Sequence, residues 1–95
     1  MSNTLSSIKV MFHDRTQRFE GRQAWALAEL IAAGLSGVTP ITHPGPRWSA
    51  YILKLRQAGL DIETIRERHE GAYAGHHARY VLHTPVVVVG QLEAA

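Results

Sequence analysis

The chain has 95 residues, of which 45% are apolar and 19% charged, which suits one folded domain and excludes both a disordered chain and a separate catalytic domain. Ten Lys and Arg against eight Asp and Glu give a formal charge of +2, a basic bias too slight for an unspecific polyanion coat. With no cysteine, disulfides and thiolate zinc sites are excluded.

Residues 1–6 are small and polar and read as a flexible tail. They lack the basic start and apolar core of a signal peptide. No later run approaches the roughly 18 apolar residues of a membrane span. The expectation is a cytoplasmic protein without membrane contact. Residues 8–12, from Ile8 to Phe12, have the β-branched and aromatic content of a short strand. Residues 13–17 are polar and turn-like. A helix is predicted over 19–34, with Ala24, Leu27, Ala28 and Ile31 spaced as one buried face, Trp25 and Leu30 widening it, and Gly34 as the stop. Residues 35–46, LSGVTPITHPGP, hold too much proline and glycine for a regular helix. Val38 to Ile41 is the one place for a short extended piece.

Pro46 suits the first position of a second helix, predicted over 46–58 and stopped by Gly59. At about 100° per residue, Trp48, Ile52, Leu55 and Gly59 share a core face. Arg47, Ala50, Tyr51, Lys54 and Ala58 share a second face, and Ser49, Leu53 and Arg56 the third. Residues 60–68 then alternate imperfectly, as a half-buried strand would, with Ile62 and Ile65 apolar. Residues 70–77 (EGAYAGHH) read as a glycine-containing tip, and 78–82 return as a strand. The hairpin as a whole is expected over 61–83. A further strand is expected at 86–89, bounded by Val86 and Val89. A helix followed directly by a β-hairpin is the second half of a winged helix.

The motifs carry the likeness further. Arg47, Ser49, Ile52, Leu55-Arg56 and Gly59 stand as R-x-S-x-x-I-x-x-L-R-x-x-G, followed by Ile62-Glu63-Thr64 and the returning Arg79-Tyr80-Val81-Leu82. In this the chain resembles small bacterial winged helix-turn-helix domain proteins, over roughly residues 25–82. The resemblance implies a single α+β domain over 1–95: a short N-terminal strand, two main helices, a reduced supporting helix, a hairpin wing and an extra strand. It also implies binding to double-stranded DNA, as a transcription regulator or an excisionase-like factor in DNA recombination, in phage or mobile-element settings.

The expected DNA-binding residues follow from that frame. Arg47, Ser49, Ala50, Tyr51 and Lys54 lie on the second helix, as a recognition helix in the major groove. Arg66, Arg68, His69, His76, His77 and Arg79 lie on the wing, toward backbone or minor groove, where imidazoles add charge as pH falls. An ordinary solvated surface accounts for the same residue types, with Glu67 and Glu70 balancing the arginines. Trp25 and Trp48 are expected as core anchors. No metal is expected, because neighbouring His76 and His77 on a strand point to opposite faces. No cofactor is expected. No nucleophile elbow, phosphate-binding loop or convergent carboxylate pair marks an enzyme. The alternative is a winged helix that binds protein and not DNA. Self-association is expected through segments 8–12 and 86–89.

Overall fold

The computed structural model describes residues 5–45, 47–70 and 75–93. Two sheets flank a pair of helices, in the order β1 (Leu5–Phe12), β2 (Arg15–Glu20), α1 (Gly21–Ala33), α2 (Trp48–Gln57), β3 (Ile62–His69), β4 (Gly75–Leu82) and β5 (Val87–Glu93). The first sheet has the order β2-β1-β5, antiparallel throughout, and the second is the β3-β4 hairpin. Alternation in β1 explains its place at the centre. Ile8, Val10 and Phe12 point into the core and are buried, while Lys9 and Met11 face solvent.

α1 lies across the buried face of β1 and against α2. Ala24, Ala26, Leu27 and Leu30 are fully buried, and the small alanines let the helix approach the sheet closely. Ala28 and Ile31, expected as core, are only partly buried. Gly34 ends the helix at φ 57°, its N–H bonded to the Leu30 carbonyl. Burying Leu27, Leu30, Ile52 and Leu55 stabilises the fold by about 1.5–3 kcal/mol for each side chain.

Several expectations are corrected. Leu5 and Ser6 belong to β1 and not to a tail; residues 1–4 lie outside the described residues. The turn expected over 13–17 is only His13-Asp14, both at positive φ (52° and 59°). Residues 15–20 form β2, so α1 begins at Gly21 and Phe19 is a strand residue. α2 begins at Trp48, with Arg47 as its left-handed cap at φ 69°; Pro46 lies outside the described residues. Gly59, expected on the core face, is exposed at φ 109° and serves as the helix stop. Ile65 is exposed. β4 starts at Gly75, so His76 and His77 are strand residues, and tip positions 71–74 lie outside the described residues.

The extra strand runs over Val87–Glu93 and pairs with β1, with an irregularity between Lys9 and Val10. Because β2 and β5 flank β1 on both sides, segment 8–12 has no open edge for a second copy.

Between the helices the described residues form a 3-10 turn (Gly34–Ser36) and a capped turn, with no further α-helix. Val38 bridges to Tyr80 through two backbone hydrogen bonds (2.9 and 2.8 Å) and adds a one-residue third strand beside β4. Of the extended piece expected at 38–41, only Val38 pairs as a strand would. Thr39 is buried, and its Oγ1 accepts from the N–H groups of Ile41 (3.2 Å) and Thr42 (3.0 Å), while the His43 N–H returns to the Thr39 carbonyl at 2.8 Å.

Candidate nucleic-acid interface

α2 is anchored by three inward side chains, Trp48, Ile52 and Leu55, all buried. The Trp48 indole N–H donates to the His43 carbonyl at 2.8 Å, which ties the start of the helix to the preceding turn. Its ring lies 5.1 Å from that of Trp25 and stacks on Tyr80 at 6.3 Å. Arg22 covers the half-buried Trp25 ring at 4.1 Å. Arg56 ties the end of α2 to β3, donating to the Ile62 carbonyl (3.1 and 2.6 Å) and to Thr64 Oγ1 (2.6 Å). Arg15 of β2 reaches the Ala58 carbonyl, and its guanidinium sits 5.0 Å from the Phe12 ring.

These contacts turn the exposed face of α2 away from the one expected. Tyr51 and Ala58 are half-buried against the core, and the Tyr51 ring meets Trp48 edge-on at 6.4 Å. Ala50 is half-buried as well. The exposed positions are Ser49, Leu53, Lys54, Arg56 and Gln57, joined at the helix start by Arg47. By rotation about the helix axis the side opposite the core carries half-buried Ala50 with exposed Leu53, Lys54 and Gln57.

Strand parity sorts the hairpin residues. The register pairs Thr64 with Tyr80, Arg66 with Ala78 and Arg68 with His76, so these share a face with Ile62. That is the face bonded to Arg56 and stacked on Trp48, so it is the α2 side. Arg66 and His76 are exposed there, beside an open concavity of about 340 Å³ floored by Ala78. Arg68 is 76% exposed, with Glu70 at 3.8 Å.

The opposite face carries Glu63, Ile65, Glu67 and His69 with Val81, Arg79 and His77. Here the charges are spent on one another. Arg79 Nε donates to Glu67 at 2.5 Å and its Nη1 donates to the Ser36 carbonyl at 2.6 Å. His77 lies 3.1 Å from Glu67 through Nε2 and 2.9 Å from His69 through Nδ1. The Arg79 hydrogen bond, aided by His77, holds the Glu67 carboxyl below the usual glutamate range, and Glu67 in turn raises Arg79. His76 and His77 point to opposite faces, and among the described residues no group of three or more His, Asp or Glu is arranged to hold a metal ion.

A family model for a winged helix domain matches the chain over residues 16–91. The protein belongs to the winged helix domain family. No curated protein and no solved structure matches it. The matched residues take in α1, the Thr39 turn, α2 and the β3-β4 hairpin. The match takes in all of β2 but its first residue and most of β5, while β1, the strand between them, lies before the matched residues. Among the described residues no helix is long and apolar enough to cross a membrane. Two features escaped sequence reasoning: the bracketing of α2 by Arg56, and the outward Leu53 and Gln57. The wheel placed Arg56 and Leu53 on the third side, but it could not say which side neighbouring elements would cover.

Proposed function

We propose that this winged helix protein binds double-stranded DNA, as a transcription regulator or an excisionase-like architectural factor. α2 enters the major groove, and the α2-side face of the wing rests on adjoining backbone or minor groove. Strand parity carries this conclusion. Arg66, Arg68 and His76 stand on the α2 side of the hairpin, while Glu63 and Glu67 stand on the other. The arginines of the α2 side are exposed, whereas Arg79 on the other side is bonded to Glu67. Arg47, Ser49 and Lys54 extend the same surface along α2, whose first turn carries no acidic residue to repel a phosphate. Ala50 lets the helix lie close to the base edges. Tyr51, His69, His77 and Arg79 serve the framework, since their side chains are engaged within the protein.

Fluorescence anisotropy with a labelled random-sequence duplex at about 50 mM salt tests this. Saturable binding that weakens steeply toward about 200 mM is expected. A folded protein that binds no duplex at low salt would return the domain to the second reading, a protein-binding winged helix. That reading is favoured by β5, where Val87, Val89 and Leu92 are 50–58% exposed. The same strand offers the outer edge of its sheet for self-association, which sedimentation velocity would detect.

A further inference from the structure

Leu53 is 55% exposed, while the other large aliphatic residues of α2, Ile52 and Leu55, are buried. It stands beside Ala50 and Gln57, which lie opposite the core, toward the flank that carries Arg56. Ala50 lies one turn before it and Gln57 one turn after, giving positions i, i+3 and i+7 of a single row. The row is about 10 Å long, from the helix rise of ~1.5 Å per residue, which spans about three base-pair steps at ~3.4 Å. Exposed cations border it: Arg47 and Lys54 along the helix, and Arg66 and Arg68 across on the wing. An apolar centre ringed by cations fits a polyanion whose own surface carries apolar groups.

We infer that Ala50, Leu53 and Gln57 select a thymine- and adenine-containing step in the major groove, the apolar side chains packing on thymine C5-methyl groups and the Gln57 amide pairing with adenine N6 and N7. This rests on the DNA-binding function proposed above and names what that surface reads. The chemistry is specific. The thymine methyl is the one apolar group on a base edge in the major groove, and a glutamine amide matches the donor–acceptor pair of adenine. Lysine and arginine supply affinity through phosphates without reading sequence. A row of one alanine, one leucine and one glutamine has no charge to spend on phosphates, so its contribution lies in readout.

The experiment uses the full chain. Duplexes are enriched from a random pool, and the enriched site is then resynthesised with deoxyuridine in place of thymine, which removes only the methyl. The enriched site should contain thymine and adenine within about three consecutive base pairs. The wild type should bind the uridine duplex about fourfold more weakly for each contacted methyl. Leu53→Ala, at an exposed position, should keep the fold by circular dichroism but lose most of the preference for the thymine over the uridine duplex, the remainder lying with Ala50. Gln57→Ala should relax the preference at one adenine. Equal wild-type affinity for the two duplexes would overturn the inference, as would full thymine preference retained in Leu53→Ala. Salt-dependent binding with no enriched motif would overturn it while leaving the proposed function standing. Absence of binding to any duplex at low salt would overturn both.

Discussion

The two faces of the wing should respond in opposite ways to loss of an arginine. Arg66 and Arg68 project from the α2 side, whereas Arg79 projects from the other and is bonded to Glu67 and the Ser36 carbonyl. If Arg47, Lys54, Arg66 and Arg68 each neutralise one phosphate, the logarithmic salt slope is about 3.6, at about 0.9 per phosphate. Affinity then falls about 150-fold between roughly 50 and 200 mM salt. The double variant Arg66→Ala/Arg68→Ala halves the slope to about 1.8 and reduces that fall to about 12-fold. Its thermal midpoint should stay close to wild type, because the removed side chains are exposed and the 3.8 Å Arg68–Glu70 pair is too open to stabilise much. Arg79→Ala should do the reverse, leaving the slope near 3.6 and lowering the midpoint. It deprives Glu67 of its shortest partner and releases the wing from the turn at Ser36. Anisotropy titrations at several salt concentrations, with thermal melts by circular dichroism, measure both quantities. Equal slopes for the double variant and wild type, or a slope loss in Arg79→Ala matching that of Arg66→Ala, would refute the assignment of faces.

Three further substitutions test the framework behind that surface. Gly37→Ala should destabilise by more than about 2 kcal/mol in urea melts: Gly37 sits at φ 74°, and an added Cβ would fall 2.8 Å from the Tyr80 carbonyl oxygen and 2.9 Å from the Arg79 and Val81 side chains. Thr39→Val keeps the side-chain shape but removes the oxygen that accepts from the Ile41 and Thr42 N–H groups. A loss of about 1–3 kcal/mol is expected, and a neutral result would mean that the turn does not depend on its cap. Glu67→Gln tests the charged cluster through pH. Arg79 and His77 depress the Glu67 carboxyl, so its stabilisation is present above the usual glutamate range and lost as pH falls through its folded-state value. The wild-type midpoint should therefore drop more steeply on acidification than that of Glu67→Gln, and parallel curves would show that the cluster adds nothing.

Periodicity explains why part of this molecule could be read in advance. Trp48, Ile52 and Leu55 recur at helical spacing and are buried as that spacing requires, and the hairpin follows the helix as its composition suggests. β2 had no such signal. Phe19 is its one fully buried residue, and its turn is His-Asp where Asn-Gly is the usual mark, so the left-handed geometry had no compositional flag. The outward face of α2 was misjudged for a different reason. A wheel orders residues around an axis but carries no information about which flanks α1 and β2 will cover. Arg22 over Trp25 and Arg15 on the Ala58 carbonyl close the Tyr51–Ala58 flank, and that leaves Leu53 and Gln57 outermost. Sorting the wing cations needed the register of β3 against β4, which depends on where the tip turns and not on any single residue.

The missing supporting helix bears directly on how α2 is presented. In a winged helix with three full helices, packing of the second against the third sets the angle of the recognition helix. Here both ends of α2 are tied by hydrogen bonds instead. Trp48 Nε1 holds the first turn to the His43 carbonyl, within the turn that Thr39 caps, and Arg56 holds the last turn to Ile62 and Thr64 at the base of the wing. Two anchors eight residues apart span about 12 Å at ~1.5 Å per residue, most of the length of α2. Together with the packing of Trp48, Ile52 and Leu55 into the core beside α1, they hold its direction and its rotation about its own axis. The Arg56 anchor also couples helix to wing, since Thr64 shares the hairpin face that carries Arg66 and Arg68. Losing it should free the wing to rotate relative to α2 while both elements remain folded. The two parts of the proposed DNA surface would then lose their common alignment. A short capped turn and one arginine thus add to the packing of α2 on α1 and leave its outer side open.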